Sequence, residues 1–120
     1  MSDEFLRVAT QEINEELEHI GRILNSCNSD SDVVEHCKNI EGHFHKIKGL
    51  TPMMGKEKIG KISEMLDSIL KNILDGKKIE GIYDVMLESH TFMKNSMSDQ
   101  DSNYDDLENK IKERYSQFID

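Results

Sequence analysis

The chain has no tryptophan, one proline, two cysteines and seven glycines among its 120 residues. A single proline leaves almost every position free to be helical, because proline inside a helix deletes a hydrogen bond and clashes with the preceding turn. Two cysteines are too few for the disulfide framework of a small secreted domain, and Cys27 and Cys37 form neither a CxxC pair nor a zinc-ligand spacing with histidines. Cys37 falls on an apolar helical stripe, where a free thiol packs as a small hydrophobe. Long apolar runs are missing as well. Val85-Met86-Leu87 is typical, far short of the roughly 20 residues that span a bilayer. The start, Met1-Ser2-Asp3-Glu4, is acidic and lacks the apolar stretch of a secretory signal. Cations are in deficit, 15 Lys and Arg against 24 Asp and Glu, for a formal charge of −9. That deficit argues against nucleic acid, whose phosphates demand clustered cations, and against anionic membrane surfaces. A cytoplasmic protein with no nucleic-acid or membrane partner is expected.

What is present is helical periodicity. With 36% apolar and 32% charged residues, one domain of this length can bury one real core. The apolar residues recur at three and four positions throughout, and no stretch alternates as a half-buried strand would. The first stripe is Leu6, Ala9, Ile13, Leu17, Ile20 and Leu24, ending in the polar run 25–32, whose Ser and Asp residues suit a helix start. The second is Val33, Cys37, Ile40, Phe44 and Ile47, running as one helix toward Pro52. The third carries Ile59, Ile62, Leu66, Ile69 and Ile73 and stops at Asp75-Gly76; the fourth carries Ile82, Met86, His90, Met93 and Met97. Beyond the polar stretch 98–103 a fifth carries Tyr104, Leu107, Ile111, Tyr115 and Phe118. The expectation is an all-α fold, an antiparallel up-down four-helix bundle with an additional fifth C-terminal helix. Residues 1–98 would form the bundle, and 99–120 the helix packed on it or leading out of it.

One segment goes further: His43-Phe44-His45-Lys46-Ile47-Lys48-Gly49. His45 follows the stripe residue Phe44, which places it on the shoulder of the buried face, near solvent. Its helical neighbours at three and four positions are Glu41, Gly42, Lys48 and Gly49. Each glycine costs a helix about 1 kcal/mol relative to alanine, so a helix that accepts two of them beside one histidine leaves that imidazole uncovered. Lys48 sets a cation next to it. Exposed imidazole, adjacent ammonium and bare backbone suit a phosphoryl group brought by a docking partner.

The spacing His45-x-x-Lys48-Gly49 resembles the phosphorylation motif of histidine phosphotransfer (HPt) domains. The order of five helices, the apolar pattern, Gly55 after the motif and the break at Gly76 before Ile82 are similar to the phosphotransfer domains at the N-terminus of CheA-type chemotaxis kinases. The likeness covers nearly the whole chain, loosely outside residues 41–70. It implies a phosphorelay in which Nε2 of His45 attacks the γ-phosphate held by a histidine kinase catalytic domain. The phosphoryl group would then pass to an aspartate of a response-regulator receiver. Lys48 would screen the phosphoryl charge and Gly49 would permit close approach. The receiver would supply the magnesium, leaving this domain with no cofactor or metal of its own. In CheA-like domains the next helix carries His-x-x-Glu, whose glutamate holds Nδ1 of the reactive histidine. Here the corresponding residues are Glu64 and Asp67, a departure at both positions. Asp67 can still accept from Nδ1–H, which would fix the tautomer and make Nε2 more nucleophilic. Glu64 removes one member of the usual network and adds negative charge, which bears on the rate more than on the assignment of His45. Pro52 also stands where these domains more often have a small residue.

The other histidines read more plainly. His43 should be covered by Ile40 and Ile47, His90 lies on an apolar stripe and packs, and His19 and His36 face solvent. A di-iron site needs two Glu-x-x-His motifs and two further glutamates, and only Glu16-x-x-His19 fits. The methionines read as core packing. Lys56, Lys58 and Lys61 form a solvated basic group that could also help dock an acidic receiver, and pairing of Lys48 with Glu64 or Asp67 could be a plain interhelical ion pair. No glycine-rich phosphate loop provides an ATP site. The competing function is a binding module, the same bundle docking receivers or helices without being phosphorylated.

Overall fold

The computed structural model describes residues 2–100 and 103–119. Those residues are all-helical, with no strand among them. The helices are α1 (Asp3–Asn25), α2 (Asp30–Glu35), α3 (Cys37–Leu50), α4 (Glu57–Leu74), α5 (Ile82–Met97) and α6 (Tyr104–Tyr115). Short 3-10 turns at Thr51–Met54 and Ser116–Phe118 follow α3 and α6. Two residues of the polar stretch expected before the last helix, 101 and 102, lie outside the described set.

Local chemistry sets most of the boundaries. Ser2 caps α1, its Oγ accepting from the Phe5 N–H at 3.1 Å, and Asp3 and Glu4 place negative charge at the positive end of the helix dipole. Ser29 caps α2 through the Asp32 N–H, while Asp32 accepts from the Asn28 N–H at 2.8 Å. Pro52 follows the end of α3 and falls in the 3-10 turn, whose last residue is followed by Gly55 at φ 70°.

The second apolar stripe departs from expectation. Its single helix is interrupted at His36, which has φ −98° and ψ 9°. Val33 and Cys37 stay buried on either side, so the stripe survives the break. The short α2 is anchored from a distance: Asp30 accepts from the Gly81 N–H at 2.9 Å and the Tyr83 N–H at 2.8 Å. Those are two of the unpartnered donors at the start of α5, and Gly81 is left-handed at φ 82°. His36 is consequently half-buried at the break instead of facing solvent.

One core runs through the molecule. Ile13, Leu17 and Ile20 of α1, Phe44 and Ile47 of α3, Ile62, Leu66 and Ile69 of α4, and Val85 and Met86 of α5 are buried together, and Leu107 and Ile111 of α6 join them. The most extensive helix pairing is α3 with α4; α1 packs on α3 and α5, and α6 on α4 and α5. Gly60 allows α4 to start close to α3, since a Cβ there would lie 2.5 Å from Oγ1 of the buried Thr51. His90 packs as expected: its Nε2–H donates to the Leu17 carbonyl at 2.7 Å and burial pushes its pKa down. Cys27 and Cys37 are buried free thiols. Cys37 donates to the Leu70 carbonyl at 3.3 Å, and burial pushes its pKa up to about 11. Met65, Met86 and Met93 are core residues, while Met53 is exposed. No helix of the described residues is long and apolar enough to cross a membrane.

Candidate functional site

The α3–α4 pairing brings the predicted residues of the two helices together. Phe44 is fully buried, and the next residue turns outward by about 100° on a helix, which leaves the His45 side chain 59% exposed. Opposite it on α4, Asp67 is only 1% exposed. Nδ1 of His45 lies 3.3 Å from Oδ2 of Asp67. A carboxylate accepts, so Nδ1 is the donor, and in the neutral ring the lone pair is then on Nε2. Lys48, one turn beyond His45, places Nζ 3.0 Å from the same Oδ2.

Two further residues belong to this site and were not assigned to it from sequence. Lys71, four residues after Asp67, sets Nζ 3.2 Å from Oδ2. Glu41, four residues before His45, brings its carboxyl group within 4.8 Å of the ligand atoms of His45 and Asp67. Each sits one helical turn from a residue that was singled out, and that spacing is the signal that could have found them.

The electrostatics follow from this arrangement. Burial alone would push the pKa of Asp67 up, but the Glu41 carboxyl and the Lys48, His45 and Lys71 groups beside it outweigh burial and hold the carboxyl well below the usual carboxylate range. Glu41 moves the other way. The adjoining Asp67 carboxyl raises its pKa, burial and the Asp67 charge add to the rise, and Lys71 and His45 oppose it. Glu41, His45 and Asp67 offer oxygen and nitrogen atoms within 4.8 Å of one another. The two ammonium groups on Asp67 oppose a divalent cation at that point, so the donor set suits a proton better than a metal.

Glu64 stands apart. Its side chain is 55% exposed and its Oε1 lies 3.6 Å from Nζ of Lys61, three residues earlier on α4. Three residues on a helix leave Glu64 only about 60° around from Asp67, so it is the pairing with Lys61, not the helix face, that turns its carboxylate aside. Lys61 is thereby part of an ion pair, Lys56 pairs with Asp99 at 3.4 Å, and Lys58 lies over the Tyr104 ring at 5.4 Å.

The backbone beside His45 is open. A Cβ built at Gly42 or at Gly49 meets nothing within 4 Å. Clefts of 340 Å³, between Gly55 and Tyr104, and 550 Å³, between Gly21 and His90, lie elsewhere and do not include His45. His45 thus lies outside both clefts, with its side chain 59% exposed.

His43 repeats the same chemistry one face away. Its Nδ1 lies 2.5 Å from Oε2 of Glu16 on α1, and Lys46, three residues on, is 3.4 Å from the other oxygen of that carboxylate. His43 is only 18% exposed, and His19 stacks on it with ring centroids 5.2 Å apart. His19 thus faces solvent while covering His43, and His43 ties α3 to α1 instead of presenting a nucleophile. Glu16-x-x-His19, the one Glu-x-x-His motif, is taken up in this contact.

No family model, curated protein or solved structure matches the chain.

Proposed function

We propose that the chain is a histidine phosphotransfer domain: His45 accepts a phosphoryl group from a histidine kinase catalytic domain and passes it to an aspartate of a receiver. On this reading α1, α3, α4 and α5 are the antiparallel up-down four-helix bundle, with α6 the added fifth helix. The observation that carries the reading is an exposed imidazole whose Nδ1 is held by the buried carboxylate Asp67 while Nε2 points free. In the first transfer the Nε2 lone pair forms the N–P bond as the bond from the γ-phosphorus to the leaving ADP oxygen breaks. The proton stays on Nδ1, where Asp67 stabilises the cationic ring. Lys48 and Lys71 surround the site with positive charge that attracts the phosphoryl oxygens. Transfer to the receiver reverses these bond changes, with the receiver's aspartate as the nucleophile. The domain has no ATP site in its sequence, so it acts as a carrier.

The test is to incubate the chain with a CheA-type kinase core and ATP and look for acid-labile, base-stable label. Wild type should be labelled and His45→Gln should not. An unlabelled wild type, beside a known phosphotransfer domain that the same kinase does label, overturns the reading and leaves the binding module. Label retained in His45→Gln moves the acceptor to another histidine, His43 first.

The open glycines give a second expectation. Gly49→Ala should stabilise α3 by up to about 1 kcal/mol, since alanine is the better helix former and its methyl group meets nothing. The same methyl group stands where a partner must approach, so transfer to a receiver should slow several-fold. Thermal melts and transfer kinetics on one preparation check both halves. A variant that is more stable and transfers at the wild-type rate would show that partners do not approach over Gly49.

A further inference from the structure

The three cationic or N–H partners of Asp67 all converge on one oxygen. His45 Nδ1, Lys48 Nζ and Lys71 Nζ each lie 3.0–3.3 Å from Oδ2. The second oxygen, Oδ1, is buried and receives no hydrogen bond from any of them. A buried carboxylate oxygen without a donor is costly, because its desolvation is not repaid. The group available to it is the Glu41 carboxyl, which lies with Asp67 and His45 in one cluster of atoms within 4.8 Å of one another. Two carboxyl groups this close do not both ionise freely, and the one that keeps a proton can donate it to the other. Asp67 faces two ammonium groups and takes the negative charge, so the proton belongs to Glu41.

We propose that Glu41 is a positioning residue for His45: its carboxylic acid donates a hydrogen bond to Oδ1 of Asp67, and that proton orients the carboxylate that holds the imidazole. The inference rests on the reading of His45 as the reactive histidine and deepens it. Glu41 is faced by Cys37 and His45 from α3 and by Asp67 and Lys71 from α4. Its folded-state pKa lies above the unfolded value of about 4.3. The stabilisation from its proton is therefore complete below that value and is lost as pH rises through the folded one. Once ionised, Glu41 adds a second negative charge beside His45, which repels an anionic phosphoryl donor.

The test uses the full chain labelled with 13C and 15N, followed by NMR from acid to neutral pH, with Glu41→Gln, Glu41→Ala and Asp67→Asn as variants. The Glu41 carboxyl should titrate above the ordinary glutamate range, and the same midpoint should appear at the Asp67 carboxyl and the His45 ring nitrogens. Glu41→Gln, whose amide still donates, should keep His45 protonated on Nδ1 and lose that inflection. Glu41→Ala should let the Nε2–H tautomer grow.

Phosphoramidate serves as a kinase-free donor. Nε2 forms the N–P bond, the P–N bond to departing ammonia breaks, and the proton stays on Nδ1, hydrogen-bonded to Asp67. Glu41→Ala should react severalfold more slowly than Glu41→Gln. If Glu41→Ala matches wild type in both tautomer and rate while Asp67→Asn changes both, the role of Glu41 is overturned. If Asp67→Asn also changes neither, the fault lies in the His45–Asp67 pairing and both fall. Failure of a kinase to label the chain would sink the relay reading and leave these NMR results standing, so the two failures are distinguishable.

Discussion

Asp67→Ala is expected to slow phosphoryl acceptance at His45 by about 10- to 100-fold, by analogy with the carboxylates that orient metal-bound histidines, without unfolding the chain. On the proposed function the carboxylate selects the tautomer with a free Nε2 and stabilises the cationic ring that would form as the N–P bond closes. Without it the imidazole, already 59% exposed, samples both tautomers and other orientations. The fold should survive because the partners left behind are not stranded. The Lys48 side chain is 36% exposed and that of Lys71 53% exposed, so both ammonium groups can turn to water. A buried ion pair is costly to break when it leaves a buried charge behind, and here it does not.

The pH dependence gives an independent check with a defined sign. The pKa of Asp67 is depressed in the folded chain, so its contribution is present above the unfolded value of about 3.9 and disappears as pH falls through the folded value. The stability gap between wild type and Asp67→Ala should therefore be largest near neutrality and close toward acid. Initial labelling rates, with thermal melts at neutral and acid pH, measure both effects. An unchanged labelling rate would remove Asp67 from the chemistry.

Phe44→Ala should cost about 3–5 kcal/mol, the usual range for emptying a buried phenylalanine site. That is a large part of the 5–15 kcal/mol that holds a typical domain folded. Phe44 is completely buried and sits on α3, the helix that packs against both α1 and α4. Its cavity loosens two helix interfaces together, including the one that sets the His45–Asp67 separation. Phe44→Leu keeps most of the volume and should cost markedly less. Urea unfolding of the three proteins gives the comparison, and a loss below about 1 kcal/mol for alanine would contradict the core described above.

Much of this molecule was legible in local spacing. Ile13, Leu17, Ile20 and Leu24 on α1, and Ile59, Ile62, Leu66 and Ile69 on α4, are buried where a 3.6-residue period puts them. The end of α3 before Pro52 follows from proline's missing N–H. The break at His36 was not legible. Val33 and Cys37 continue one apolar stripe across it, and what holds α2 is the bond from Asp30 to the backbone of Gly81 and Tyr83, some fifty residues away. A contact at that separation leaves no mark on local periodicity.

The sequence by itself determined that the chain is helical, acidic and one-cored, because helical periodicity, composition and charge are properties of near neighbours. It also singled out His45 through the glycines and lysine one turn away. Only the tertiary structure decided what covers the other imidazole. His43 and His45 each have a lysine three residues on and a carboxylate from another helix, yet Glu16 and His19 of α1 cover the first while the second remains open. It also decided that Glu41 of α3 meets Asp67 of α4, whereas Lys71 beside Asp67 and the Lys61–Glu64 pair follow from turn spacing within α4. The reason is physical: exposure and charge pairing depend on how helices pack across the core, and those distances are set by residues far apart in the chain.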